Sequence, residues 1–156
     1  MKISFLADHP EFIVTLAPWV FEHWRPMLPG DTLETRVGKL KMHMNYEMLP
    51  IAWVAHTGSD VFGTAALRKH DLPDHQNLTP WLGGVYVAPQ YRRQGIGEQL
   101  CAAVEQHAKE VMGIDTLYLF TLDKQDWYKR LGWSTVQPCG WCGSTGEIMQ
   151  KNFNTC

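Results

Sequence analysis

The segment Val85-Tyr86-Val87-Ala88-Pro89-Gln90-Tyr91-Arg92-Arg93-Gln94-Gly95-Ile96-Gly97-Glu98 decides how the rest of the chain is read. Residues 82–87 alternate as a strand, and their paired glycines, Gly83 and Gly84, predict a bulge or a close backbone approach. Residues 95–112 read as a helix, with Ile96, Leu100, Ala103, Val104, Ala108 and Val111 as its buried stripe and Gly113 as its stop. A strand, seven connecting residues and Gly-Ile-Gly at a helix start together make an anion-binding arrangement. The first N–H groups of a helix have no internal partner and carry the positive end of its dipole. Gly95 and Gly97 let a phosphate approach the main chain, and Arg92 and Arg93 add positive charge at the rim. A Walker loop would need Lys and Ser or Thr after the glycines, but Glu98 follows Gly97. A dinucleotide fingerprint would need a third glycine where Leu100 stands; Asp115, 20 residues beyond Gly95, precedes its strand instead of ending it.

Toward the N-terminus, residues 3–6 form a short strand, and Phe12, Ile13, Leu16, Ala17, Val20, Phe21 and Trp24 recur at helical spacing. Pro18 is expected to kink or break that helix. Leu33, Val37, Leu40 and Met44 indicate a second helix, whose end at 42–48 packs methionine into a core. From Pro50 the period changes. Residues 51–55 and 61–67 read as a hairpin joined at Thr57-Gly58-Ser59-Asp60, followed by a polar loop over 70–80. Beyond the long helix come a strand at 116–122, a short helix at 124–131 and closing strands at 133–136 and 146–151. No linker or repeat interrupts this order. One α/β domain over residues 1–156 is expected.

The 14 basic and 16 acidic side chains are scattered, which argues against a nucleic-acid surface. No apolar run approaches the roughly 20 residues of a membrane span, and the start lacks a signal peptide's core. A cytoplasmic protein is expected. Cys101, Cys139, Cys142 and Cys156 are spaced too irregularly for a disulfide framework. Cys139-Gly140-Trp141-Cys142 reads as a Gly-rich loop carrying two incidental thiols. A redox pair would sit at a helix start, and a zinc site would need two further ligands. No metal is expected. Some of the 7 Trp rings are expected to line a cleft as well as a core.

Arg92-Arg93-Gln94-Gly95-Ile96-Gly97 after a strand resembles the acetyl-CoA signature of the GNAT family of N-acetyltransferases. A second motif, Trp127-Tyr128-Lys129-Arg130-Leu131-Gly132-Trp133, is similar to that family's Tyr-x-x-x-Gly-Phe with Trp for Phe. The resemblance extends to the order of elements along the whole chain. It implies a central twisted, mostly antiparallel sheet of about seven strands flanked by about four helices.

It also implies acetyl-CoA as cosubstrate and an amine as acceptor. The pantetheine arm would add to the edge of Val85, Tyr86 and Val87, where a main-chain N–H would polarise the thioester carbonyl. The amides from Arg93 through Gln94, Gly95, Ile96 and Gly97 to Glu98 would surround the pyrophosphate. Tyr128 would be the general acid toward the leaving thiolate. Many family members carry Asn seven residues ahead of that Tyr; here the position is Thr121, with Asp123 nearby as a helix cap. His70, Asp71 and Asp74 lie in the loop where the acceptor would approach, and the two acids would suit a cationic acceptor. The other readings are a non-catalytic acyl-CoA sensor on the same fold and a thiol-redox protein centred on Cys139 and Cys142.

Overall fold

Ile51-Ala52-Trp53-Val54-Ala55 has no polar face, as expected of a strand covered on both sides. In the computed structural model, which describes residues 1–154, this run lies inside the sheet. Among the described residues seven strands form one sheet in the order β1-β2-β3-β4-β5-β7-β6. The strands are β1 (Lys2–Phe5), β2 (Ile51–Thr57), β3 (Asp60–Arg68), β4 (Trp81–Val87), β5 (Thr116–Thr121), β6 (Ser134–Trp141) and β7 (Ser144–Asn152). All pairings are antiparallel except β4 with β5. The helices are α1 (Ile13–Trp24), α2 (Leu33–Met42), α3 (Ile96–Gln106) and α4 (Gln125–Arg130), and a π turn, His107–Val111, extends α3. No described helix is long and apolar enough to cross a membrane.

Alternation along β2 divides the core. Ile51, Trp53 and Ala55 pack with Leu100, Cys101, Val104 and Ala108 of the α3 layer, while Ala52 and Val54 pack with Leu16 and Ala17 of α1. The hairpin closes at Thr57 and Asp60, with Gly58 at φ +69° in its turn.

Pro18 neither breaks nor ends α1. It lies on the exposed face, and the carbonyl it leaves without a donor belongs to Val14, which is 79% exposed. Water can satisfy that carbonyl. The second helix stops at Met42 instead of reaching Met44. Met44 packs against the α1 core as expected, but Met42 and Met48 are exposed.

The closing strands are longer than their sequence signal, and Cys139-Gly140-Trp141-Cys142 is not a loop. Cys139 to Trp141 lie in β6, and Cys142 (φ +50°) and Gly143 (φ +82°) make the hairpin turn into β7. Two successive positive φ values are what a tight two-residue hairpin needs. Cys101, Cys139 and Cys142 are free thiols; Cys156 lies outside the described residues.

Candidate functional site

The sheet opens between β4 and β5. Their parallel pairing has a single register pair, Trp81 with Tyr118, and Tyr118 N–H donates to Pro80 O at 3.0 Å. Past that point β4 has only β3 beside it. Ala66 pairs with Gly83 and Thr64 with Tyr86, so Gly84 and Val85 together face Ala65. This is the bulge signalled by the paired glycines, with Gly84 at φ +58°. Ala88 N–H donates to Phe62 O at 3.0 Å, and Tyr86 pairs with Thr64, so the main chain of Tyr86 faces β3. The main-chain groups of Val85 and Val87 therefore face the opening. Tyr86 departs from the expected edge role: its main chain is engaged, and its ring lies on the other face against Trp19 and His23 of α1.

The phosphate-loop segment leads from the end of β4 to α3. Gly95 sits at φ +80° as the helix cap, and no side chain closes the α3 N-terminus. The first helical bond at this end is Gln99 N–H to Gly95 O, 3.1 Å, so the N–H groups of Ile96, Gly97 and Glu98 have no partner within the helix. Arg93 is also left-handed, at φ +64°, and alternating left-handed residues turn successive N–H groups into a concave anion nest. Gln94 lies between the two and is exposed, like Arg93. Arg92 differs from the expectation. Its Nε donates to Val87 O at 2.7 Å and its guanidinium lies 5.6 Å from the Tyr86 ring centre, so it clasps the end of β4. Gly97 faces Trp127, whose ring atoms would lie 3.4 Å from a Cβ placed there.

Across the opening, α4 presents Tyr128. The second motif has a folding reason. Gly132, at φ +98°, ends the helix; its N–H donates to Lys129 O, and Trp133 N–H donates to Tyr128 O at 3.0 Å. These two bonds form a Schellman stop, and the Trp133 ring 6.1 Å from the Tyr128 ring supplies its hydrophobic contact. With Trp127 4.8 Å away on its other side, Tyr128 is 8% exposed. Burial first, then Cys101 and Asp71, push its pKa well above the ordinary phenol value, so it stays protonated at neutral pH. Thr121 Oγ1 accepts from Lys124 N–H at 3.0 Å in the turn before α4, and the helix start carries no side-chain cap, so Asp123 does not cap it.

The loop after β3 separates its polar residues. Arg68 donates to Asp71 at 3.0 Å, and a Cβ built on Gly83 would lie 3.2 Å from the Asp71 carboxylate oxygens. Asp71 therefore stands beside the β4 bulge. His70 Nδ1 is enclosed and has no hydrogen-bond partner among the described residues. Asp74 is exposed; burial first, then Asp74, raise the Cys139 pKa, and His75 Nε2 lies 3.6 Å from Cys139 Sγ. Asp71 thus stands at the β4 bulge, and Asp74 on the side of Cys139.

Sequence spacing gave no sign of the partner of Arg68 on the α2 side. Arg68 Nε donates to His43 Nε2 at 3.0 Å, which leaves the proton on Nδ1 to bond Lys39 O at 2.6 Å. Burial, and after it Arg68, push the His43 pKa down to about 4, so the ring is neutral at pH 7. The unfolded chain, with its ordinary value near 6.5, then binds this proton more tightly. The stability linked to His43 is therefore full above about pH 6.5 and falls as pH drops toward about 4, by about 3 kcal/mol at most. Urea unfolding at pH 7 and pH 4.5 should show His43→Gln losing less stability on acidification than the parent. Equal losses would remove His43 from the acid response.

Trp141, at the end of β6, lies 6.1 Å from Trp24 of α1 and 5.9 Å from Phe120 of β5.

A family model described as an acetyltransferase (GNAT) domain matches residues 50–135. Among solved structures, the chain is similar to the aminoglycoside 6'-N-acetyltransferase from Enterococcus faecium, at 19% identity, 100% and 99% coverage of the two chains and a TM-score of 0.76. An aminoglycoside 6'-N-acetyltransferase complexed with coenzyme A gives 20% identity, 100% and 99% coverage and a TM-score of 0.71. The PaiA N-acetyltransferase from Thermoplasma acidophilum, in complex with coenzyme A, gives 19%, 98% and 100%, and 0.69. At these identities the likeness carries the fold. No curated protein matches the sequence.

Proposed function

The chain belongs to the GNAT acetyltransferase family, and from that premise we propose that it transfers an acetyl group from acetyl-CoA to a primary amine by direct attack. The observation that carries this reading is the opened edge of β4 beside an uncapped helix N-terminus. The chemistry of the donors fits the cosubstrate. Unpartnered amides at Ile96, Gly97 and Glu98, in the nest made by Arg93, Gln94 and Gly95, suit a pyrophosphate. The main-chain groups of Val85 and the N–H of Val87, whose carbonyl Arg92 holds, suit an amide-bearing arm that adds as a strand would. An N–H on that edge would polarise the thioester carbonyl as the amine attacks.

Burial of Tyr128 bears on its role as general acid. A phenol made less acidic is a poor donor to a thiolate whose thiol has the ordinary pKa of ~8.5. The same surroundings raise thiols, however: Cys101, close enough to influence Tyr128, is pushed up to about 12 by burial. A thiolate leaving in such a setting is correspondingly more basic, and transfer from Tyr128 is closer to balanced. Cys101 itself stays a protonated thiol at neutral pH, which favours direct attack over an acyl-cysteine route. An acceptor of low pKa, such as an α-amino group that is already roughly a tenth neutral at pH 7, suits a site with no strong base.

Titration calorimetry with coenzyme A and a free-thiol assay with acetyl-CoA and a panel of amines test the proposal. Coenzyme A is expected to bind, and at least one amine to release thiol. Absence of coenzyme binding refutes the transferase reading, and binding without turnover on any amine favours a sensor.

A further inference from the structure

Between α1, α2 and the middle of the sheet lies a cavity of about 40 Å³ whose polar wall is cationic. Arg36, Lys39 and Arg68 line it with neutral His43, and Trp24 forms part of its apolar side. No acid is among its lining residues. Asp31 and Asp71 hold Arg36 and Arg68 from outside that lining. Lys39 is exposed and has no ion pair among the described residues, so its ammonium is free to turn toward an incoming anion. Burial, then Arg36, hold Lys39 below the usual lysine range, with Asp31 and Asp71 opposing them in part.

Position links this cavity to the reaction. Gly84 of the β4 bulge lines it, and Arg68 Nη2 would lie 2.8 Å from a Cβ placed on Gly84. The guanidinium therefore lies against the strand whose other edge is proposed to present the acetyl group. With Arg68 Nε on His43 and Nη1 on Asp71, Nη2 is the guanidinium nitrogen left to donate to a further carboxylate. The volume is a few times the roughly 10–15 Å³ that admits one water, enough for a carboxylate and its carbon.

We infer that the amine accepted by this enzyme carries a carboxylate, seated in this cavity against Lys39 and Arg68. The inference rests on the proposed transfer reaction and narrows its acceptor to amino-acid-like amines. A polycation would meet like charge at the same place. The expected product is then an N-acetyl amino acid.

The test is calorimetric titration with a panel of N-acetyl amino acids and the matching amides, on protein with and without bound coenzyme A. For at least one side chain, the acid should bind at least tenfold more tightly than its amide. Lys39→Met should remove most of that preference while coenzyme A affinity stays within about twofold. Equal affinity of acid and amide, no detectable binding of either, or a preference that survives Lys39→Met overturns the assignment. An aminoglycoside binding more tightly than every acid overturns it as well. Failure of coenzyme A to bind refutes the transferase reading separately, because the acid and amide comparison on free protein still reports on the cavity.

Discussion

Tyr128→Phe should lower kcat about 100-fold while leaving coenzyme A affinity within about twofold. The magnitude is the low end of what a positioned proton donor contributes. Phenylalanine keeps the ring that packs against Trp127 and Trp133, and the Schellman stop uses the main chain of Tyr128, not its hydroxyl. Substitution therefore removes the proton and spares the fold. Steady-state kinetics with thiol detection, alongside a thermal melt, separates these effects. A kcat within threefold of the parent, with an unchanged melt, would reduce Tyr128 to a packing residue.

Gly63→Ala should cost about 3 kcal/mol of stability, the upper range for forcing atoms into a packed interior. A Cβ built there would lie 2.4 Å from Tyr86 O and 3.1 Å from Val87 Cα, both main-chain atoms that cannot rotate away. Gly63 pairs with Val87 in the β3–β4 register, so relief requires the end of β4 to move. Coenzyme A affinity should fall along with stability, because that end leads into the anion nest. Gly38→Ala is the control: it lies inside α2 with nothing within 4 Å of a new Cβ, and it should stabilise slightly. Urea midpoints for the two variants decide the matter. A Gly63→Ala loss under about 1 kcal/mol would mean that the strands adjust freely.

The sequence exposed those parts whose physics is local. The apolar run at Ile51 and the stripe from Ile96 to Ala108 each follow one element's period, and the glycines at 83 and 84 mark their bulge. Val111, expected in that stripe, is exposed because the π turn at His107–Val111 breaks the α-helical period. β6 was read too short because Ser134 through Pro138 are all exposed. An edge strand with no buried face there writes no alternation into its residues. For the same reason Cys139 to Cys142 read as a loop. The bonds joining His43, Arg68 and Asp71 draw on the end of α2, the end of β3 and the following loop. No spacing along the chain announces such a meeting. The motif puts Arg92 at the rim of the anion site, but its bond to the Val87 carbonyl, five residues back, has no signal in the sequence.

One rung, Trp81 to Tyr118, is all that ties four strands on one side to three on the other by pairing. The tilt between these halves is therefore governed by greasy contacts, chiefly Leu100, Cys101 and Val104 of α3 against Leu82 on one half and Leu117, Leu119 and Met149 on the other. Such contacts have no direction of their own and yield where a ladder would resist. The buried side chains of α3 span both halves, so their volumes bear on how wide the gap stands. An extended arm lodged in that gap would brace the two halves as the strands themselves do not.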